Sequence, residues 1–434
     1  MVAFRPRRCA IIRVLPVFRR FRWVVLSLLF FATTINYLDR IVFTVLIPEI
    51  RKDLHLSDLD YGYINAAFQL AYTLGFPLLG RFVDWCGTRI GYLVSMVAWS
   101  ITGGLTATAS TATALGAWRF LLGVGESGNF PCAIKAVAEW FPVKDRALAT
   151  GIFNAGANVA ATIGPPVIVA LQAAYGWRAA FLITATLGAA WAPLWWLLYD
   201  RPGRHPRVSA PELAYIRSGE AEAGAPRVGW LAALAHRQTW GFAVAKFLTD
   251  PVWWFYLFWL PPYLYDVRHF NLRQIGWALP VIYLAADVGS VGGGWISSRL
   301  IRRGWPVGRA RMAAMRAAAV CMPVAATAVA VESPILAIAL ISLATAAHQG
   351  WSANLFTTTS DVFPSHTVAS VVGIGGCAGG MGGLLFAALI PGFVITYFGY
   401  APVFVLMGAL HPLALIVAHR LMGRMERISS EGAM

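Results

Sequence analysis

The sequence predicts an all-α membrane protein, a bundle of twelve transmembrane helices in two six-helix halves. Of its 434 residues, 58% are hydrophobic and only 13% are charged, and the mean hydropathy is +0.62. Soluble domains carry about 25% charged residues, so this composition excludes a disordered chain, a coiled coil and an ordinary soluble enzyme. Long apolar runs recur along the chain, each close to the ~20 residues that cross a bilayer as a helix.

Twelve such runs divide into six and six around a stretch rich in Pro, Gly and Arg. We predict membrane spans at 23–48, 59–81, 90–109, 112–135, 146–172, 178–199, 239–265, 273–298, 310–331, 334–358, 367–395 and 400–420. The resulting domains are a basic tail at 1–22, an N-terminal half at 23–199, a linker at 200–238, a C-terminal half at 239–420 and a second tail at 421–434. Two halves of this kind place a functional site between them, near the middle of the bilayer.

Basic residues are distributed unevenly between the two sets of loops. The amino tail, the loops after even-numbered spans and the carboxyl tail hold most Lys and Arg residues. The opposite loops and their edges hold Arg51, Lys52, Arg178, Arg268 and Arg273. Because Lys and Arg accumulate on the cytoplasmic side of membrane proteins, we expect both termini in the cytoplasm. The net charge of +15 then reflects orientation in the bilayer, and no nucleic-acid partner is expected.

No metal, cofactor or catalytic motif is indicated. The five cysteines are scattered, none forms a CxxC pair, and no His cluster accompanies them. The sequence contains no GxSxG, HExxH or GxxxxGK motif, so we do not expect an enzyme. It also carries no signal for oligomers, and we expect a monomer in the lipid bilayer.

Four charged residues lie well inside two of the predicted spans. Span 1 contains Asp39 and Arg40. Span 4 contains Arg119 and Glu126, two helical turns apart on one face, and we expect Arg119 to stabilise the Glu126 carboxylate. An ionisable group in a span costs roughly 3 kcal/mol, so it is a functional candidate by default. Two acids and two guanidinium groups suit an anion and a proton, because Arg binds carboxylates bidentately and a buried acid responds to a nearby cation.

Four further ionisable residues in the second half are open to two interpretations. Lys246 and Asp250 are one turn apart in span 7, a spacing typical of an internal ion pair. Asp287 lies in a stretch of small residues in span 8 that favours close helix packing. His348 is a single histidine in span 10. The sequence does not decide whether these residues are functional or structural.

The loop after span 2 reads "GRFVDWCGTRIG" over 80–91. With Gly80, Asp84, Gly87 and Arg89, it resembles the signature of the major facilitator superfamily. In that family the loop joins spans 2 and 3 and controls the conformational switch. The resemblance implies a major-facilitator-type bundle and a gating role for these four residues.

Longer stretches resemble one branch of that superfamily, the anion:cation symporters. These are "INYLDR" at 35–40 and the run from "RFLLGVGESGNFP" to "NVAATIGP" at 119–165. The second run and "DPVWWFYLFWLPPYL" at 250–264 are especially similar to hexuronate transporters, and the resemblance extends over 23–420. It implies proton coupling by Asp39 and Glu126. It also implies substrate binding or coupling by Arg40 and Arg119, and pocket positions for Tyr37, Tyr72, Asn158 and Trp351.

Together, residues and resemblance favour a secondary active transporter that takes up a sugar acid with protons, by alternating access. A hexuronate such as galacturonate or glucuronate is the expected substrate, the proton is the only coupling ion, and the bacterial inner membrane is the expected location. Another organic anion, such as an aldonate, glucarate or an aromatic acid, stays open. So does drug efflux, because Gly156, Gly164 and Pro165 partly match the span 5 motif of antiporters. A channel is less compatible with ion pairs inside spans.

Overall fold

The structure is a computed structural model that describes residues 20–56, 58–218, 233–270, 272–423 and 425. Most of the two predicted tails and the middle of the predicted linker therefore lie outside the described residues. Within these ranges the chain is helical and contains no strand.

Twelve spans can be followed through the described residues, so the prediction of an all-α bundle is confirmed. Spans 1 to 4 are the helices Arg22–Leu54, Asp58–Cys86 and Thr88–Leu105 and the consecutive pair Ala112–Glu126 and Asn129–Trp140. Spans 5 and 6 are the two parts of the helix Val143–Leu198, at 143–175 and 177–198. Spans 7 to 10 are Arg237–Asp266, Leu272–Arg302, Val307–Ala326 and Pro334–Val362. Span 11 joins Val368–Gly383, the π-helix Leu384–Leu389 and Ile390–Phe398, and span 12 is Ala401–Met422.

Local sequence explains the breaks between these helices. Gly176 has a φ of 81°, a conformation that glycine adopts without strain, and it separates span 5 from span 6 as the sequence predicts. In the linker, Ser209 caps a short helix, Ala210–Ile216, by accepting a hydrogen bond from the backbone of Glu212 at 3.3 Å.

Eight helices in the described part of the chain are long and apolar enough to cross a membrane by length and composition. One of them, Val143–Leu198, contains spans 5 and 6. Spans 2, 4 and 7 are outside this set. Span 4 is divided into helices of 15 and 12 residues, and spans 4 and 7 contain charged residues. Charge is not confined to these less apolar spans, because span 1 belongs to the set of eight and contains Asp39 and Arg40.

The two halves pack tightly at one end of the bundle, which we call the linker side because residue 22, the linker and residue 422 lie there. Span 2 meets span 11, where a side chain on Gly80 would collide with the backbone of Ala369. Span 5 meets span 8, where a side chain on Gly294 would collide with the backbone of Ala147. Small residues allow this close approach of helices.

Ion pairs reinforce the same end. Arg311 Nε donates to Asp361 Oδ2 at 2.9 Å, and its Nη2 donates to the carbonyl oxygen of Val143 in the other half at 2.8 Å. Arg302 Nη1 lies 3.0 Å from Asp145 Oδ1, again between halves. The halves are therefore closed against each other on the linker side.

Candidate functional site

Spans 1 and 4 bring the four predicted charged residues together in the interior of the first half. Arg40 Nε donates to Glu126 Oε2 at 2.6 Å, and Arg40 Nη2 donates to Asn36 Oδ1 at 3.1 Å. Glu126 is fully buried, and Asp39 is 4% exposed. The spacing of Arg119 and Glu126 in one helix suggested that they act on each other. The structure instead pairs Glu126 with Arg40 of span 1.

Arg119 forms no ion pair of this kind with another residue in the described part of the chain. Its guanidinium group lies over the rings of Phe43 and Phe68, at 4.6 and 4.4 Å. Its Nε and Nη1 atoms are buried and have no hydrogen-bond partner among the described residues, and the same holds for Asp39 Oδ2 and Glu126 Oε1. Buried polar atoms are nearly always hydrogen-bonded, so a set of donors and acceptors left open in one cluster marks a place where a ligand or proton can act.

Two tyrosines separate this cluster from the space between the halves. The guanidinium carbon of Arg40 lies 4.8 Å from the ring centre of Tyr37 and 4.2 Å from that of Tyr72. Both rings line the cavity described next, whereas Arg40 itself does not. We call Tyr37 and Tyr72 the aromatic layer. The structure places both tyrosines on the cavity wall.

The central cavity lies between the halves and has a volume of about 70 Å³. From the first half it is lined by Tyr37, Gln69, Tyr72, Phe76, Phe130 and Asn154. From the second half it is lined by Lys246, Asp250, Trp253, Trp254, His348, Gln349, Ser352, Phe356, Gly376 and Gly380. Polar groups, aromatic faces and one acid–base pair are the usual wall of a small-molecule site.

The charged residues of this wall come from span 7. Lys246 Nζ lies 2.6 Å from Asp250 Oδ2 and 4.1 Å from the ring centre of Phe356. Asp250 packs against span 11, where Gly379 has no side chain to collide with its carboxylate. Sequence reasoning found the pair but did not decide its role, and the structure places it on the cavity.

Two softer predictions fall outside the cavity wall. Asn158 Nδ2 donates to Asp287 Oδ1 at 2.7 Å, which links spans 5 and 8. Trp351 is fully buried and packs against the ring of His411, with ring centres 5.3 Å apart. One turn before Asn158, Asn154 does line the cavity and donates to Gln349 Oε1 at 2.7 Å.

Sequence reasoning missed the polar face of span 10. Gln349, Ser352 and Phe356 line the cavity at a helical spacing of three and four residues. That spacing, next to His348, is the signal that would have found them. His348 Nδ1 is 3.2 Å from His411 Nε2, a contact with span 12 that the sequence does not reveal.

The four residues of the predicted gating loop lie on the linker side. Asp84 accepts hydrogen bonds from Lys135 Nζ at 2.8 Å and from the backbone N–H of Ser370, in the other half, at 2.6 Å. Gly87 has a φ of 87° and ends the turn between spans 2 and 3. Arg89 Nη2 donates to the carbonyl oxygen of Trp196 at 2.6 Å. Together with the close approach at Gly80, these contacts hold the loop against its neighbours.

Comparison with known proteins agrees with this architecture. The sequence profile of the Major Facilitator Superfamily matches residues 29–387. The chain is 32% identical over 404 residues to the hexuronate transporter of Escherichia coli K12, which covers 91% of this chain and 93% of that protein. It is 34% identical over 279 residues to the galacturonate transporter of Dickeya chrysanthemi, which covers 63% of this chain and 81% of that protein.

A solved structure gives the same result for the fold. The major facilitator proton:xylose symporter XylE, bound to 6-bromo-6-deoxy-D-glucose, superposes with a TM-score of 0.71 at 12% identity, over 92% of this chain and 95% of that one. The profile covers most of the chain, and the E. coli relative covers nearly all of it. The chain therefore belongs to the Major Facilitator Superfamily and is a multi-pass integral membrane transporter, not an enzyme.

Proposed function

We propose that this transporter takes up a sugar acid together with protons, by alternating access, and that its substrate is a hexuronate such as galacturonate or glucuronate. The observation that carries the proposal is buried charge: Arg40 holds Glu126 at 2.6 Å, one aromatic layer from the central cavity. Relatives that transport hexuronate and galacturonate, at 32% and 34% identity, support the substrate class.

The proposed location is the bacterial inner membrane, with both termini in the cytoplasm. The linker side carries a run of basic residues, among them Arg201, Arg299, Arg302 and Arg309. The opposite side carries few, and this asymmetry supports a cytoplasmic linker side. Because the halves are closed there, the arrangement corresponds to a state that does not release substrate to the cytoplasm.

Glu126 is the proposed main coupling group. Its carboxylate is held by Arg40, and the two share a water-poor interior where charge interactions are strong. A negatively charged sugar in the cavity interacts with Arg40 across the aromatic layer. This interaction weakens the stabilisation of the Glu126 carboxylate by Arg40 and so favours protonation of Glu126. Substrate and proton then load together, and by reciprocal linkage the loss of one weakens the hold on the other.

Asp39 and Arg119 complete the proposed mechanism. Asp39 precedes Arg40 in span 1, and its Oδ2 has no hydrogen-bond partner among the described residues, so it can accept a second proton. Arg119 has donors without hydrogen-bond partners among the described residues, and its charge balances that of the two acids. Arginine suits this position because it stays charged whatever its surroundings.

The test combines two assays on the full chain in proteoliposomes. Counterflow of labelled galacturonate reports exchange by a carrier, and uptake driven by an imposed pH gradient reports proton coupling. We expect both, with accumulation that disappears when a protonophore collapses the gradient. Counterflow without gradient-driven accumulation would contradict symport.

A competitor panel tests the substrate class in the same vesicles. We expect galacturonate and glucuronate to compete best, and neutral hexoses to compete poorly. Stronger competition by an aldonate, glucarate or an aromatic acid would move the substrate to that class. Outward movement of cationic drugs with no uronate exchange would replace the proposal with efflux.

A further inference from the structure

We propose that Lys246 is the group that binds the substrate carboxylate, and that Asp250 occupies the same position on Lys246 when the cavity is empty. This inference rests on the proposed function and deepens it. It assigns anion recognition to span 7 of the second half and leaves the arginines of the first half to coupling.

The position of the charges carries the inference. Among the residues that the structure describes, the wall of the central cavity contains one Lys or Arg side chain, Lys246, and one Asp or Glu side chain, Asp250. Arg40 lies behind the aromatic layer and is engaged with Glu126 and Asn36. A carboxylate that enters the cavity therefore meets Lys246 without any rearrangement of the first half.

The surroundings of Lys246 suit exchange of one carboxylate for another. An ammonium group has three donors, and in the described structure it contacts one carboxylate oxygen of Asp250 and the face of Phe356. The Lys246 side chain is 7% exposed, so the interaction is shielded from water, while the Asp250 side chain is 21% exposed. Asp250 is thus the accessible member of the pair and the one that an incoming anion can displace.

Asp250 lies between Lys246 and the glycine-rich face of span 11, at the wall of the cavity. Its carboxylate lies against Gly379 of span 11, and the neighbouring Gly380 lines the cavity. A side chain on Gly379 would collide with this carboxylate, so the acid lies directly against the backbone of span 11 beside the cavity. A buried ion pair is often no more stabilising than apolar residues of the same volume, so stability alone does not explain one on a cavity wall.

This arrangement explains how acids would be separated from neutral sugars. A carboxylate replaces the interaction that Asp250 gives up, whereas a hydroxyl group does not, and an unpaired buried ammonium is strongly unfavourable. Binding also adds one negative charge to a cavity whose wall pair was neutral. The electrostatic field of that charge acts on Arg40 across the aromatic layer. Recognition in the second half is thereby connected to the proposed coupling residues of the first half.

Three variants test the inference by galacturonate counterflow in proteoliposomes. Asp250→Asn removes the competing carboxylate, so the half-saturating concentration should fall severalfold. Lys246→Gln and the double variant Lys246→Gln/Asp250→Asn should both raise it, by about tenfold or more, because charge-assisted hydrogen bonds are lost. In both, galactose should compete as well as galacturonate. Asp266→Asn, an exposed acid at the end of the same span, is the matched control and should behave like the wild type.

The double variant separates recognition from a structural role. If the pair only stabilises the bundle, each single variant should lose counterflow, and the double variant should regain the wild-type half-saturating concentration. That result would overturn the inference. If Asp250→Asn folds poorly, Lys246→Arg is tested in its place. We expect Lys246→Arg to keep the preference for acid over neutral sugar. Loss of that preference in folded protein would count against the inference. If the wild-type protein exchanges no sugar acid, the proposed function is overturned as well. If the wild-type protein exchanges galacturonate and the double variant has the same half-saturating concentration, the inference alone is overturned.

Discussion

The two halves of this transporter handle charge in different ways. In the first half, two acids and two arginines are buried behind Tyr37 and Tyr72 and lie outside the cavity wall. In the second half, one acid–base pair in span 7 lies on the cavity wall itself. The first arrangement leaves several polar atoms without hydrogen-bond partners among the described residues, and the second satisfies its charges within one helical turn.

This difference indicates a division of labour. A cluster with unsatisfied acids near a shared cation is poised to change protonation, because small changes in field alter which carboxylate is charged. In a compact ion pair on the cavity wall, a ligand carboxylate can take the place of the Asp250 carboxylate on Lys246. We therefore propose that the first half couples protons and that the second half recognises the anion, and each proposal can be tested separately.

The largest expected effect follows from Glu126→Gln. Glutamine imitates the protonated acid permanently, so the variant should exchange labelled for unlabelled galacturonate but should not concentrate it against a gradient. The measurement pairs counterflow with pH-driven uptake in the same vesicles. Glu49→Gln, at an exposed position near the far end of span 1, is the control and should accumulate substrate normally.

Two results would contradict the assignment of Glu126. Normal accumulation by Glu126→Gln would remove it from coupling. Loss of both counterflow and accumulation in folded protein would give it a structural role, through its 2.6 Å contact with Arg40.

The sequence predicts the fold and the four buried charged residues of the first half, but not how these residues pair. Apolar runs of sufficient length determine the number of spans, and helical spacing determines which residues of one span share a face. Neither specifies how one span is rotated against another. For this reason the sequence predicts that Glu126 interacts with Arg119 of its own helix, whereas the structure pairs it with Arg40 of span 1.

The same limit explains the second half. Asp250 and Asp287 are both acids inside spans, and the sequence treated them alike. The rotation of span 7 brings Asp250 to the cavity, while Asp287 accepts a hydrogen bond from Asn158 between spans 5 and 8. A residue's type and depth could be predicted, but the direction it faces depends on packing between distant parts of the chain.

An intermediate effect is expected for Arg119→Lys, which sharpens the comparison within the first half. Lysine keeps the charge but loses the planar group that contacts the rings of Phe43 and Phe68. If Arg119 serves coupling, the accumulation ratio should fall by roughly tenfold, in line with a weakened charge-assisted interaction, while the half-saturating concentration in counterflow changes little. A marked rise of that concentration with normal accumulation would instead make Arg119 a direct contact of the carboxylate.

The smallest effect is expected for His348→Asn, which asks whether the second half also carries protons. His348 lies on the cavity wall, its ring stacks on Trp253 with centres 5.9 Å apart, and its Nδ1 is 3.2 Å from His411 Nε2. One proton between the two nitrogens satisfies this contact with both rings neutral, so no charge needs to change during transport. Asparagine keeps a polar group on the wall, so we expect full pH-driven accumulation. The half-saturating concentration should rise by about threefold or less, because one ordinary hydrogen bond is lost. Failure to accumulate galacturonate while counterflow persists would show that protons are carried in the second half, and the division between the two halves would then be wrong.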